Sequence, residues 1–168
     1  MRVFVLVAAL VCISHAGRAE AKTDFSGRWI LNKSKSREAN PSMFKRRTMD
    51  VSQNGIDLAV AIRDEEPDGS EFRAYLNFKI DGTPTVSILG APQRAVLRWE
   101  GAKLIIRWNL DSSPPGTSSR HLPGQQGATP PFTWTWTRAA DGKALINQIH
   151  VYEQGRDITE RLVYDMAH

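Results

Sequence analysis

Apolar and polar residues alternate along most of the chain. The longest alternating run places Phe72, Ala74, Leu76, Phe78 and Ile80 on one face of an extended segment. A period of two is that of an antiparallel β-strand with one face buried. Beyond residue 21, no long stretch keeps the i, i+3, i+4, i+7 spacing of an amphipathic helix. The pattern therefore predicts an all-β domain.

Glycines that follow a polar residue separate the alternating segments. They occur at Asn54-Gly55, Asp68-Gly69, Asp81-Gly82, Glu100-Gly101, Asp141-Gly142 and Gln154-Gly155. Such pairs are typical of tight turns between antiparallel strands. The predicted strands, nine or ten in number, cover residues 27–32, 45–53, 56–63, 71–80, 84–89, 93–100, 103–110, 132–138, 143–152 and 157–165. Consecutive strands are expected to be neighbours in one sheet.

The hairpin around Gly101-Ala102 has a register that the sequence itself favours. A turn at this point sets Glu100 opposite Lys103, which pairs opposite charges. It also sets Leu97 opposite Ile106, which pairs two apolar side chains. Both cross-strand pairs are favourable, so we expect this register.

A meander of this length leaves two unpaired edges unless it closes on itself. About eight strands are enough to enclose side chains or one small ligand. We therefore expect a single up-and-down barrel of about 8–10 strands. A sandwich of two packed sheets is the alternative.

The first 21 residues have the features of a secretory signal peptide. Arg2 precedes an apolar run at 3–13, and small residues end at Ala19-Glu20-Ala21. The run is too short to span a bilayer, which takes about 20 apolar residues. The sequence thus predicts a signal peptide at 1–21, a domain at 22–168 and a periplasmic or extracellular location. Cys12 is the only cysteine, so the mature domain would contain neither a disulfide nor a thiolate metal site.

Two segments interrupt the alternation. Residues 32–44 are polar and basic, and residues 111–131 contain five prolines and three glycines. A long segment with so few apolar residues is typical of a disordered loop, which we predict for 111–131.

The basic excess is concentrated in the segment at 33–47. The formal net charge of the whole chain is +4. The basic residues of the segment are Lys33, Lys35, Arg37, Lys45, Arg46 and Arg47. Two interpretations remain open: a solvated loop, and weak contact with an anionic membrane surface. Nucleic acid is not an expected partner, because no aromatic residues are interleaved with these charges and no recognition helix is visible.

The opening of the predicted domain resembles that of a known superfamily. Phe25-Ser26-Gly27-Arg28-Trp29 resembles the Gly-x-Trp first strand of lipocalins and other calycins. With the following Lys33-Ser34-Lys35-Ser36, it is similar to small exported bacterial lipocalin-like domains. The resemblance implies a barrel that binds a small, mainly apolar molecule and is not an enzyme. It also implies that Gly27 and Trp29 close one end of the barrel while Arg161, or less well Arg156, stacks on Trp29.

Aromatic residues on the predicted strands are the candidates for the wall of a ligand pocket. The candidate ligand-binding residues are Trp99, Trp108, Trp134, Trp136, Phe72, Phe78 and Asn147. Asn147 is included because it shares an apolar stripe with Leu145, Ile149 and Val151. The alternative is that these large side chains simply fill the barrel.

Motifs of catalysis and of cofactor binding are missing from the sequence. It has no Gly-x-Ser-x-Gly elbow, phosphate loop or dinucleotide fingerprint, and no two histidines have metal-ligand spacing. Asp64-Glu65-Glu66 with Asp68 is interpreted as a charged hairpin tip. We therefore predict no catalytic residue, metal or cofactor.

Three functional hypotheses follow from these observations. The first is an exported, monomeric binding protein for a small hydrophobic or aromatic ligand. The second is an envelope interaction module that docks through a sheet face or the basic 33–47 segment. The third is an enzyme of unknown chemistry on the same barrel.

Overall fold

The computed structural model describes residues 22–39, 44–89, 91–108, 131–153 and 156–167. They form ten strands: β1 (Gly27–Leu31), β2 (Arg46–Asn54), β3 (Asp57–Glu65), β4 (Glu71–Lys79), β5 (Thr85–Leu89), β6 (Ala91–Glu100), β7 (Lys103–Trp108), β8 (Phe132–Arg138), β9 (Ala144–Glu153) and β10 (Arg156–Met166). All the predicted strands are present, with small shifts at their ends. The predicted signal peptide at 1–21 lies outside the described residues, as does the predicted loop at 111–131 apart from Pro131.

Helical structure in the described residues is limited to one 3-10 turn at Lys33–Lys35. Asn32 begins this turn, and its side chain accepts a hydrogen bond from the Lys35 N–H. No helix in the described part of the chain is long and apolar enough to cross a membrane.

The ten strands close into one antiparallel barrel. The order around the ring is β1-β10-β9-β8-β7-β6-β5-β4-β3-β2, so neighbours in sequence are neighbours in the sheet. The ring is completed where β1 pairs with β10, with Trp29 opposite Met166. The all-β, up-and-down barrel is thereby confirmed, and the alternative of two packed sheets is wrong. The predicted register of the β6–β7 hairpin is also confirmed, with Glu100 opposite Lys103 and Leu97 opposite Ile106.

The two ends of the barrel differ. Strands alternate in direction, so the short turns β2–β3, β4–β5, β6–β7 and β8–β9 all lie at one end, which we call the turn end. Gly55 and Gly101 have φ of +58° and +59° there, a left-handed conformation that side chains with a Cβ rarely adopt. The strand pairs β1–β2, β3–β4, β5–β6, β7–β8 and β9–β10 are connected at the opposite end, which we call the loop end.

Alternate residues of every strand face the interior and form one hydrophobic core. On β3 the buried apolar side chains are Leu58, Val60 and Ile62, and their neighbours in sequence are more exposed. The strand register pairs these residues with inward-facing residues of the next strand, as with Val60 on β3 and Leu76 on β4. The alternation seen in the sequence therefore places the core inside the barrel.

The contact between β4 and β5 is the least regular in the ring. Tyr75 and Ile88 are their single register pair. The buried Ser87 hydroxyl supplements it by donating to the Asn77 carbonyl at 2.9 Å and accepting from the Asn77 N–H at 3.1 Å. On the outer surface beside this seam, Tyr75, Val86 and Ile88 are largely exposed.

Candidate functional site

Residues 22–26 cover the turn end, and we call this segment the N-terminal plug. The Phe25 ring is fully buried and stacks on Trp99, with ring centres 6.0 Å apart. Its edge contacts Trp136 at a centroid distance of 5.7 Å. The indole N–H of Trp29 donates to the Phe25 carbonyl at 2.9 Å. These contacts close the turn end of the barrel.

Gly27 and Trp29 lie on β1 at the turn end, and the role that the Gly-x-Trp resemblance implies for them stays a prediction. Gly27 has φ of +139°, which disfavours a larger residue. Trp29 is fully buried, and the guanidinium carbon of Arg138 lies 5.6 Å from its ring centre. Arg138 also donates to the carbonyls of Asp24 at 2.6 Å and Gly142 at 3.1 Å. The cation over Trp29 therefore comes from β8.

Arg161, predicted to occupy that position, lies elsewhere. Register pairs Trp29 with Met166, and Arg161 is displaced from Met166 along β10 toward the loop end. Its side chain is exposed and donates to the Lys35 carbonyl at 3.0 Å. The implied Arg161–Trp29 stack is wrong, because Arg138 at the turn end of β8 already covers the ring.

A second group of aromatic side chains lies inside the barrel. Trp108, at the loop end of β7, stacks on Phe132 with ring centres 5.5 Å apart and meets Trp134 edge-on at 5.2 Å. Phe78 reaches across from β4 to meet Trp108 edge-on at 5.4 Å. We call these four residues the aromatic cluster. Trp108 and Phe78 are fully buried, whereas Phe132 is only partly so.

Polar atoms in this apolar interior lack partners. The indole nitrogens of Trp108, Trp136 and Trp99 are buried and make no hydrogen bond with any described residue. The same is true of Oδ1 of Asn147, whose side chain is 2 % exposed. Register sets Asn147 between Trp136 on β8 and Leu162 on β10. Buried polar groups are almost always hydrogen-bonded, so these atoms require an explanation.

The predicted pocket residues are thus divided between two places. Trp99 and Trp136 pack against the N-terminal plug, whereas Trp108, Trp134 and Phe78 belong to the aromatic cluster. Phe72 is partly buried against the core on β4. Their contact with a ligand stays a prediction.

Charged side chains form a cluster on the inner wall that the sequence analysis missed. Arg47 on β2 makes two hydrogen bonds with Asp64 on β3, from Nε to Oδ1 at 2.6 Å and from Nη2 to Oδ2 at 2.5 Å. The exposed fraction of the two side chains is 19 % and 6 %. The Arg47 guanidinium also lies 3.9 Å from the centre of the Phe44 ring. With the buried Tyr164 on β10, Arg47 and Asp64 form what we call the interior polar cluster.

Asp64 does not belong to a charged hairpin tip, so the prediction from the sequence is wrong at this residue. It lies within β3, where it continues the inward series of Leu58, Val60 and Ile62. Arg47 likewise precedes the inward Met49 and Val51 on β2. The same alternation that predicts the strands therefore also predicts that Arg47 and Asp64 face the interior.

Burial and hydrogen bonding determine the protonation of the interior polar cluster. Burial raises the pKa of Tyr164 to about 12, although the charge and hydrogen bond of Arg47 act in the opposite direction. Burial disfavours the charge on Arg47, but its hydrogen bonds to Asp64 hold its pKa above the ordinary value. At neutral pH the phenol is therefore neutral and the guanidinium charged.

Glu38 lies close to the same cluster. Its carboxyl group is among the influences that raise the pKa of Tyr164. Its Oε2 atom is buried and has no hydrogen-bond partner among the described residues.

The basic segment at 33–47 is largely engaged in intramolecular contacts. Lys35 pairs with Asp165 at 3.0 Å, and Lys45 pairs with Glu65 at 2.6 Å. The Lys33 ammonium donates to the Phe44 carbonyl at 2.7 Å. Arg47 belongs to the interior polar cluster, while Arg37 and Arg46 are exposed. Contact with an anionic membrane stays a prediction, with fewer free charges to support it.

The outer face of β1 to β4 carries a polar groove of about 350 Å³, lined in part by Arg28, Arg46, Arg63 and Glu71. Arg28 is neutralised by Asp50 at 2.9 Å. Within the described ranges, no three His, Cys, Asp or Glu side chains are grouped so that they could hold a metal ion.

Comparison with known proteins finds likeness in structure rather than in sequence. No protein-family model matches the chain, and no curated protein matches it. Zebrafish ileal bile acid-binding protein, solved in complex with cholic acid, is 13 % identical with a TM-score of 0.57, and the match covers 85 % of this chain and 98 % of that chain.

Two further structures match to a similar extent. The REP1-NXSQ fatty acid transporter is 12 % identical with a TM-score of 0.57, covering 85 % of this chain and 96 % of the other. The fluorescent protein UnaG is 14 % identical with a TM-score of 0.58, covering 85 % and 97 %. At such identities the likeness shows the fold alone. These neighbours are ten-stranded barrels of the fatty-acid-binding type, whereas lipocalins proper have eight strands. What the likeness shows for this chain is the fold, a closed, ten-stranded, antiparallel up-and-down barrel.

Proposed function

We propose that the protein binds a small, mainly apolar molecule inside its barrel and catalyses no reaction on it. The buried indole N–H of Trp108, which has no partner among the described residues, is the observation that carries the proposal. A buried donor left without an acceptor costs about 1–3 kcal/mol. A ligand that lies against the aromatic cluster and accepts this hydrogen bond would remove that cost.

The geometry supports a site at the loop-end part of the interior. Trp108 ends β7 and Phe132 begins β8, so both lie at the loop end of their strands. Phe132 and Phe72 are only partly buried although both belong to inward-facing series. The turn end, in contrast, is filled by the N-terminal plug. A ligand would therefore contact the aromatic cluster from the loop end.

The structural neighbours support the same class of ligand. One was solved with cholic acid, and another is described as a fatty acid transporter. Both names denote molecules with a large apolar body. The likeness supports a container for such a body, and the identity of the ligand has to be established on this protein.

Native mass spectrometry of protein purified from its own source tests the proposal first, because a bound molecule would add a discrete mass. Titration with fatty acids, retinoids and aromatic dyes tests it independently through tryptophan emission. If no ligand co-purifies and no member of the panel alters the emission, the proposal is overturned.

A pair of matched variants locates the site. Trp108→Phe keeps an aromatic ring but removes the unpartnered N–H, and we expect about 5–10-fold weaker binding of any ligand found. Trp99→Phe makes the same chemical change beside the N-terminal plug, and we expect unchanged affinity. Equal effects of the two variants would contradict the assignment of the site to the aromatic cluster.

We also propose that the protein acts outside the cytoplasm, on the basis of the apolar run at 3–13 and the Ala19-Glu20-Ala21 pattern. Intact mass measurement of the protein from the periplasm or medium should give a chain that begins at Lys22. A full-length chain found in the cytoplasm would contradict this part of the proposal.

A further inference from the structure

We infer that the ligand of the barrel is an uncharged molecule with a polar head, not an anionic one; the inference rests on the proposed function. The interior has two unlike walls at its loop end. Trp108 and Phe132 lie on β7 and β8, and Arg47 and Asp64 lie on β2 and β3. These strand pairs stand on opposite sides of the ten-strand ring. A ligand between them would meet aromatic rings on one side and polar groups on the other.

The cation of the polar wall is already neutralised. Both Asp64 oxygens accept hydrogen bonds from Arg47, at 2.6 and 2.5 Å, and the aspartate side chain is 6 % exposed. A ligand carboxylate that took Arg47 would leave Asp64 buried without its partner. Removing one partner of a buried ion pair is strongly unfavourable, because an uncompensated charge remains in a medium of low polarity.

Other interior groups do not supply a free positive charge. Two other basic side chains of the described strands fall in an inward series. Arg138 lies over Trp29 at the turn end and is bonded to two backbone carbonyls. Arg156 begins β10 at the loop end, where it is exposed to solvent and not buried in the interior. Glu38 instead brings a second carboxyl group close to Tyr164. An anion entering from the loop end would therefore meet a balanced ion pair and a further carboxyl group.

The unpartnered atoms of the interior are suited to a neutral polar head. The indole N–H of Trp108 is a donor on the aromatic wall, and Oε2 of Glu38 is an acceptor close to the interior polar cluster. A hydroxyl group can accept a hydrogen bond from the indole N–H, and it can also donate one to an unpartnered oxygen atom. An alcohol on an apolar body thus matches the chemistry of both walls.

Matched ligand pairs that differ in charge but share a body test the inference. We would compare retinol with retinoate, oleyl alcohol with oleate, and N-phenyl-1-naphthylamine with 8-anilino-1-naphthalenesulfonate, at pH 8. We expect the uncharged member of each bound pair to bind at least about 10-fold more tightly. The formal net charge is +4 for the whole chain, and removal of Arg2, Arg18 and Glu20 with residues 1–21 leaves +3. This positive charge favours anions at the outer surface, so a preference for uncharged ligands would have to arise inside the barrel.

The outcomes separate the inference from the proposed function. Equal or tighter binding of the anionic members would overturn the inference and leave the proposed function standing. Binding of no member of any pair would overturn both, because no container for apolar bodies would then exist.

Asp64→Asn provides a second arm, since it leaves Arg47 without its counter-charge. We expect the affinity for oleate and retinoate to rise about 10-fold and that for the alcohols to change little. Asp57→Asn is the matched control, because Asp57 lies on the same strand but is exposed and pairs with Lys79 at 2.5 Å. The same gain in both variants would contradict the inference. The comparison in the wild-type protein decides it even if Asp64→Asn does not fold.

Discussion

Tyr164 shows how one buried side chain ties the stability of this barrel to pH. Its ring is 1 % exposed, and burial raises its pKa to about 12. The pKa of tyrosine in an unfolded chain is about 10. Between these two values the unfolded chain releases a proton that the folded protein keeps. The stabilising contribution of the phenol is thus complete below about pH 10 and is lost as the pH rises toward 12.

We therefore predict that the free energy of unfolding falls between pH 10 and 12 by up to about 2–3 kcal/mol through Tyr164. Tyr164→Phe should lack this part of the slope, although it loses the hydrogen bond with Arg47 at every pH. Urea denaturation over this range measures both effects. Parallel stability curves for the two proteins would show that Tyr164 does not titrate in this way.

Arg138 and Arg161 provide a second comparison at the residue scale. Arg138 covers Trp29 and donates to two carbonyls, whereas Arg161 is exposed and donates to one. We predict that Arg138→Met lowers the free energy of unfolding by about 1–3 kcal/mol and Arg161→Met by less than about 1 kcal/mol. Chemical denaturation of both variants tests the prediction, and the reverse order would contradict the assignment of the Trp29 cation to Arg138.

The N-terminal plug acts as a structural element although it has no regular secondary structure. Phe25 joins Trp99, Trp136 and Trp29 through ring contacts and one backbone hydrogen bond. The Thr23 hydroxyl donates to the Ala102 carbonyl at 3.1 Å, which fixes the plug to the β6–β7 turn. The attachment of the N-terminal plug to the barrel thus depends mainly on the ring contacts of Phe25.

Phe25→Ala should therefore lower the free energy of unfolding by about 3–5 kcal/mol, the usual cost of truncating a buried phenylalanine. Tyr75→Ala is the control, since Tyr75 is an aromatic residue that is 63 % exposed on β4. We expect that variant to change stability by less than about 1 kcal/mol. Thermal unfolding measures the difference, and a small effect of Phe25→Ala would mean that the plug does not close the barrel.

The elements of this fold could be predicted from sequence because strands and turns are encoded locally. Alternation located β3 and β4, and Gly101 fixed the register of the β6–β7 hairpin. The partner of Trp29 could not be found in this way, because β8 meets β1 only through the arrangement of the whole barrel. The prediction for Asp64 is wrong because carboxylates are common in turns, whereas the alternation along β3 places this one inside the barrel. Pairing with Arg47 makes burial of that charge tolerable.

At the scale of the whole molecule, the closed ring is expected to open where two neighbouring strands are paired least extensively. β9 and β10 pair along nearly their whole length, whereas β4 and β5 have one register pair and the Ser87 contacts. A fluctuation that parts one pair of strands should therefore act at the β4–β5 seam, converting the closed barrel into an open sheet. β4 and β5 would then become its edges.

The two new edges would differ in their tendency to pair with other molecules and cause aggregation. β4 carries Arg73 and Lys79 on its outer face, and charged residues discourage pairing between molecules. β5 instead exposes Val86 and Ile88, at 67 % and 60 %. An open edge rich in β-branched residues is a template on which other chains can add.

We predict that Ile88→Lys slows aggregation several-fold just below the melting temperature, as measured by light scattering. Ile56→Lys, the same change at an exposed turn residue, should slow it less. If both variants aggregate alike, the seam is not where the ring opens. The single register pair between β4 and β5 thus determines which strand edge an opened barrel would expose to other molecules. That edge would in turn determine how the protein aggregates on heating.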